Sequence, residues 1–343
     1  MKGRVIALDQ INGRKAAALI EDGVLEDLLI DSGTGLAPGA ICRGICDRPL
    51  KGQGGMMLRL PDGETGYLRG AKGLKPGEAL LVQVATRAEP GKATPVTTRV
   101  LFKSRFAIIT PDAPGINVSR AIRDEDARER LLEIAHDVMD GAGPGLILRS
   151  VAAEASDDEV AEDIAAMLQL SGAVLADAEG RAPELLVDGP DAHLLAWRDW
   201  ATPEQLEDRE GAFEAHGVDE KIRRLLTAKV PLSGGSFAFI EPTRAFVAVD
   251  VNTGSDSSPA AGLKANIATA RALPRELRTR GLGGQIIVDF APMPKKDRRQ
   301  LEQILKAAFR ADGIETSLVG WTTLGNFELQ RKRERQPLSD VLA

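Results

Sequence analysis

Asp250 and Asn252 stand two residues apart in AFVAVDVNTG, and Asp289 closes the later run GLGGQIIVDF. Two carboxylates and an amide oxygen, with no His or Cys beside them, suit a hard, oxygen-seeking ion such as Mg²⁺. Either aspartate alone could simply cap a turn at a strand end; the combination with Asn252 points to a metal site. To act together the three groups must converge. Each apolar, β-branched run before an acid reads as a buried strand. If the first strand persists through Asn252, its period of two puts Asp250 and Asn252 on one face. The segment AAGLKANIATARALPRELRTRG between them reads as a helix, with Leu263, Ile267, Ala270 and Leu273 as its apolar stripe. A helix between two strands makes them parallel neighbours and brings both acids to one end of a sheet. Pro274 inside that helix removes one hydrogen bond and predicts a bend.

At 343 residues the chain can build two or three compact units, each with its own core. The N-terminus MKGRVIALDQ lacks the apolar core of a signal peptide, and no window approaches a membrane span. Cys42 and Cys46 fit neither a disulfide framework nor a CxxC zinc pair, so reduced, buried thiols and a cytoplasmic location are expected. A net charge of −6 argues at first against a nucleic-acid partner. Its distribution argues the other way: Lys264–Arg335 carries 15 Lys/Arg and 8 Asp/Glu, a local +7 against −13 elsewhere. Phosphate binding depends on such a local patch, although a basic run can also be a solvated face.

Along the chain, residues 1–38 alternate apolar and polar groups around Asp22-Gly23, a tight-turn signal in a small sheet. From 39 to 104, short strands punctuated by glycine suggest a small β-barrel. Residues 105–182 read as strand, turn and strand, then a helix over Asp124–Met139 with Leu131, Leu132, Ala135 and Val138 on one face. A buried strand ending on Arg149-Ser150 and a helix over Glu159–Leu170 follow. Residues 183–232 form a compact connection and a helix, in which neither His193 nor His216 has a Ser, Cys or second His at a useful spacing. Residues 233–343 hold the acid-bearing strands, a second helix starting near Lys296 with a basic first turn, and a final strand followed by a helical, Arg-rich segment.

The stretches AKVPLSGGSFAFIEPT, EPTRAFVAVDVNTG and LRTRGLGGQIIVDF together resemble the catalytic part of the ribonuclease E/G family. The resemblance covers nearly the whole length, strongest from Ala228 onward and weakest between Val151 and Arg209. It implies an α/β (α+β, multi-subdomain) fold: an RNase H-like and DNase I-like catalytic core with an inserted S1-type OB β-barrel. On that template 1–38 and 183–232 make up the RNase H-like part, 39–104 the barrel, 105–182 a 5′-sensor-like part, and 233–343 the DNase I-like part. It further implies that Asp250 and Asp289 bind Mg²⁺ with help from Asn252. Arg331 and Arg333, with Lys332, become candidates for holding the scissile phosphate, their alternative being solvated helix-end charge. In the barrel, Tyr67 falls at an RNA-stacking position and Lys92 in the basic hairpin beyond it, while Met57 stands where a second ring would be. Losing one ring weakens single-strand binding. Arg149 and Ser150 match the pocket for a 5′ monophosphate, but the acidic run SDDEVAED follows where the family is glycine-rich. The chain stops at Ala343, before the family's zinc-sharing cysteine pair. Structural zinc is therefore not expected, and any homo-oligomer would form by other means.

The implied activity is Mg²⁺-dependent endonucleolytic hydrolysis of single-stranded RNA through a metal-activated water, with no membrane partner. A non-catalytic, ribosome-associated RNA-binding protein that kept the fold is the alternative. A nucleotide-binding enzyme using GLGG as a phosphate loop is disfavoured, because GLGG precedes its strand and a phosphate loop follows one.

Overall fold

The computed structural model describes residues 3–33, 35–50, 52, 54–88, 91–139 and 143–343. The chain forms two compact units, Gly33–Thr202 and the combination of Met1–Ser32 with Pro203–Ala343.

The unit Gly33–Thr202 contains a closed barrel and a smaller α/β layer. Five strands, Ile41–Leu50, Gly55–Arg59, Thr65–Arg69, Ala79–Val84 and Thr94–Thr97, pair around a ring that closes between the first and the fourth. Cys42, Cys46, Leu58, Val82 and Val84 fill its interior. Both cysteines are buried and unbonded to each other, and burial pushes the Cys42 thiol up to about 11. Beyond the barrel, four short strands from Phe102–Lys103 to Gly145–Leu148 carry two helices, Glu125–Val138 and Asp157–Ala176. Each helix begins where its sequence supplies a cap. Asp124 accepts from the Asp126 and Ala127 amides, and Ser156 with Glu159 forms a capping box. The acidic run 156–163 is therefore helix-start chemistry: three of its acids sit in the first turn, where the helix dipole favours them.

Residues 183–202 depart from expectation. Glu184–Val187 pairs with the barrel strand Ile41–Leu50, and the helix Ala192–Asp199 stays in this same unit. The return to the N-terminal sheet comes later, where Gln205–Glu207 adds in parallel to Arg4–Ile11. That sheet is a meander of Arg4–Ile11, Arg14–Glu21 and Val24–Ile30, turned by Asn12-Gly13 and Asp22-Gly23. All four turn residues have positive φ, the conformation of a two-residue hairpin that follows strand twist.

The acid-bearing segment is a six-stranded sheet ordered Lys229–Pro231, Phe237–Pro242, Val247–Asn252, Gly284–Asp289, Phe327–Arg331, Thr316–Trp321. Only the two acid strands run parallel to each other, joined by the helix Ala261–Thr279. Val247, Val249, Val251, Ile286 and Val288 point to one side and pack with Ala265, Leu273, Leu301 and Leu305 of helices Ala261–Thr279 and Arg298–Ala311. The connecting helix runs on through Pro274, which is itself buried. Its buried face is centred on Ala265, Thr269, Ala270, Leu273 and Leu277, rotated from the expected stripe so that Leu263 and Ile267 are only half-buried.

Candidate active site

Asp250 and Asp289 are direct partners across the parallel pair, the last of four matched positions that begin with Val247 and Ile286. Neighbouring strands lie about 4.8 Å apart, within reach of a shared ion. Alternation sends Val249, Val251 and Val288 into the core and both carboxylates to the opposite, exposed face. The first strand runs through Asn252, whose Nδ2 donates to Asp250 Oδ2 at 2.7 Å. The amide oxygen of Asn252 completes a set of oxygen donors on that face. Among the described residues no group of three or more His, Cys, Asp or Glu is arranged to hold a metal. The site is thus a two-carboxylate one; its donor chemistry fits a hard, largely hydrated cation such as Mg²⁺ and not zinc.

The loops that leave the carboxyl ends of these two strands are held by specific contacts. Asn266, fully buried in the connecting helix, donates to the Ala291 carbonyl and accepts from the Ala291 amide, both at 2.9 Å. It thereby fixes the backbone two residues beyond Asp289. A β-carbon at Gly262 would collide with the Pro292 carbonyl, so that helix can approach this loop only with glycine there. Gly254, with φ of +63°, lies just as close to the Gly235 carbonyl. Asn266, Gly262 and Gly254 were not singled out from sequence. A polar residue at a buried helix position was the available signal for Asn266.

The expected arginine cluster is not with the acids. The Asp289 strand pairs antiparallel with Phe327–Arg331, matching Gly284 to Arg331 and Val288 to Phe327. Arg331 therefore stands five residues from Asp289 along the sheet, about 17 Å at strand spacing. Its side chain is wholly buried, binding Asp312 at 2.7 Å and the Thr316 hydroxyl at 2.9 Å. Burial pulls its pKa down to about 10. Arg333 folds over Gly284 at that same far end, its guanidinium 2.7 Å from where a β-carbon would stand. Lys332, next along the chain, pairs with Glu334 at 2.9 Å. Neither Arg331 nor Arg333 can hold a phosphate at Asp250 and Asp289.

Much of the basic run is likewise turned inward. Arg278 binds Asp312 and the Glu26 carbonyl, Arg335 binds Asp27, and Arg280 binds Glu276. Burial pushes Asp27 up, but Arg335 and Arg278 outweigh it and hold its carboxyl below the usual range. Lys295, Lys296 and Arg299 remain exposed, in the loop that leaves Asp289 and the helix start it leads to. Those cations lie beyond the carboxyl end of the Asp289 strand.

In the other unit, Tyr67 and Met57 are direct cross-strand partners, both half-exposed on one face of the barrel. The Tyr67 ring lies over Gly55, and Lys92 is exposed before the next barrel strand. Arg149 is already engaged. One terminal nitrogen donates to the carbonyls of Ser104, Arg105 and Arg198 at 2.6, 3.1 and 2.9 Å, and the other to Asp199 at 2.7 Å. Asp199 also binds Lys103 at 2.8 Å and Arg198 at 2.9 Å, so a carboxylate occupies the centre of three cations. Burial pushes Asp199 up, yet its bonds to Arg198 and Lys103 hold it far below the ordinary carboxylate range. Ser150 is exposed at the start of a 3-10 turn. The expected phosphate pocket is therefore filled by the chain's own anion. No helix among the described residues is long and apolar enough to cross a membrane.

Comparison with known proteins agrees with the architecture. The model of the "Ribonuclease E/G family" matches residues 102–207 and 203–334. Ribonuclease G of Escherichia coli (strain K12) is 31% identical over 306 residues, covering 78% of this chain and 62% of that protein. Ribonuclease E of Nostoc sp. is 29% identical over 308 residues, covering 78% of this chain and 45% of the relative. The chain thus spans less than two thirds of the length of these curated relatives. With the matched segments reaching from the α/β layer through both acid strands, the chain belongs to the ribonuclease E/G family.

Proposed function

We propose that the protein is a Mg²⁺-dependent endoribonuclease that hydrolyses single-stranded RNA at the exposed face carrying Asp250, Asn252 and Asp289. The register of Asp250 against Asp289 carries this reading: it places two carboxylates on adjacent parallel strands, at the carboxyl edge where α/β sheets bind ligands. When bound there, Mg²⁺ would supply charge neutralisation at the scissile phosphodiester and a more acidic water for in-line attack. Asp250 and Asp289 would hold the ion, and the Asn252 amide fixes the orientation of the Asp250 carboxylate through its hydrogen bond. Lys295 and Lys296 supply positive charge for the flanking phosphates. The buried pairing of Asn266 with Ala291 keeps the loop beyond Asp289 in place. Tyr67, Met57 and Lys92 offer a surface on the barrel for single-stranded RNA, with one ring where two would stack more strongly.

Cleavage of a labelled A/U-rich oligonucleotide, with and without Mg²⁺, tests the reading. Asp250→Asn or Asp289→Asn should lower kcat by at least about 100-fold, the scale of losing one electrostatic catalytic group. RNA binding measured in EDTA should stay within about twofold, since the substituted groups are anionic and their loss relieves repulsion of phosphate. Undiminished turnover in either variant rejects the acid pair as the site.

A further inference from the structure

The acid pair has neighbours that the nuclease reading does not use. Across four strands the register runs Lys229, Phe239, Asp250, Asp289, with Phe237 opposite Asn252 in the next row. Val230, Ala238 and Ile240 alternate with these residues and are buried, so Lys229, Phe237 and Phe239 share the outer face with the carboxylates. Lys229 is exposed and both rings are half-buried. The rings meet edge to face at 5.6 Å between centroids, and the Lys229 ammonium sits 4.1 Å from the centre of Phe237. On a face from which both long helices are excluded, polar side chains would be the ordinary choice. Instead two aromatics stand on the strand beside Asp250, about 4.8 Å away, and a cation stands on the strand beyond them.

We propose that Phe237, Phe239 and Lys229 form a nucleobase-stacking subsite that holds the nucleotide next to the scissile phosphate. The aromatic pair supplies a π surface that any base can use, and the ammonium beside it meets the adjoining phosphate. This rests on the nuclease reading of the acid pair, and it adds what that reading lacks. An ion held by the carboxylates, and the lysines beside it, would engage only phosphate, which is common to single and double strands. A base can lie flat on a ring only when it is out of a duplex, so the subsite selects unpaired RNA at the bond to be cut.

The test uses the full chain and one single-stranded oligonucleotide prepared in series, with 2-aminopurine or an abasic site at each successive position. Cleavage with Mg²⁺ maps the cut; binding and 2-aminopurine fluorescence are read in EDTA, where no hydrolysis occurs. One position beside the cut should show quenching in the native protein that is lost in Phe239→Leu and Phe237→Leu. These variants should raise Kd and KM for the intact strand by about 5- to 100-fold, and change nothing for the strand abasic at that position. Phe239→Tyr should restore the quench, and melting temperatures should match. Equal losses on intact and abasic strands, or no position with ring-dependent quenching, overturn the subsite. If the native protein cleaves nothing yet the ring-dependent quench persists, the stacking site stands while the nuclease reading and the placement beside a cut both fall.

Discussion

Replacing Arg331 with methionine separates two opposed roles for that residue. Were it a phosphate-binding group, Arg331→Met would cut turnover and leave the fold untouched. The structure makes it structural: its side chain is 0% exposed, against an Asp312 carboxylate that is 1% exposed. Removing one partner of a buried pair costs about 3–5 kcal/mol, because the remaining charge stays in a low-dielectric interior. Arg278 also binds Asp312 and would partly compensate, which places the expected loss near the lower end, about 3 kcal/mol. For a unit of this size that lowers the melting temperature by about 6–12 °C. Adding Asp312→Asn to the variant removes the orphaned charge, so the second change should cost less there than in the native background. Thermal melts and urea titrations of the four proteins of this cycle give the coupling, and cleavage per folded molecule at low temperature should stay within about threefold. A native melting temperature in Arg331→Met together with a 100-fold loss of turnover would refute this reasoning and return the residue to the active site.

Three further outcomes follow from particular contacts. Because Asp199 fills the cluster of Lys103, Arg149 and Arg198, oligonucleotides with 5′-hydroxyl and 5′-phosphate ends should bind and react within about twofold. Asp199→Ala should make the phosphorylated end the better substrate by about tenfold, the scale of one charge-assisted hydrogen bond, as read by paired cleavage assays. Asn266→Leu strips the Ala291 amide and carbonyl of their partner, so stability should fall by about 2–3 kcal/mol; cleavage at saturating RNA should fall further than the loss of folded protein explains. Met57→Phe supplies the second ring opposite Tyr67 and should tighten single-stranded RNA binding about 5-fold or more by anisotropy, whereas Tyr67→Leu should weaken it by a similar factor.

How much of this was legible in the chain depended on whether the information was local. The acid strands, their parallel pairing and the common face of Asp250 and Asn252 follow from a period of two and a helical spacer. Both are properties of short segments, and the register confirms the geometry they imply. The helix from Asp124 was equally readable from its apolar period, whereas the second, expected over Glu159–Leu170, starts earlier at the Ser156 cap and runs on to Ala176. The fate of Glu184–Val187 was not: four residues carry no preference between two sheets, and the pairing with Ile41–Leu50 is settled by tertiary packing. Nor could a sequence show that Asp199, beside Arg198 in the chain, also meets Arg149 and Lys103 from roughly 50 and 100 residues away.

The arginines show the sharper lesson, because the residue types were right and the direction of a strand undid the inference. Sequence proximity to Asp289 suggested one basic patch from Lys264 to Arg335. The antiparallel entry of Phe327–Arg331 instead sends the chain away from the acids as it approaches Arg331. The run is thereby split between the two edges of one sheet. At the edge carrying Arg331, guanidinium groups meet Asp27, Glu276 and Asp312 in the interior, where leaving either partner alone is costly. At the edge carrying Asp250 and Asp289, Lys295 and Lys296 stay in solvent and lose little by exchanging water for phosphate. Desolvated pairs and an open anion-binding site make opposite demands on the same residue types. Parallel pairing of the acid strands with an antiparallel neighbour lets a single sheet meet both, holding its shape at one edge and leaving the other available to substrate.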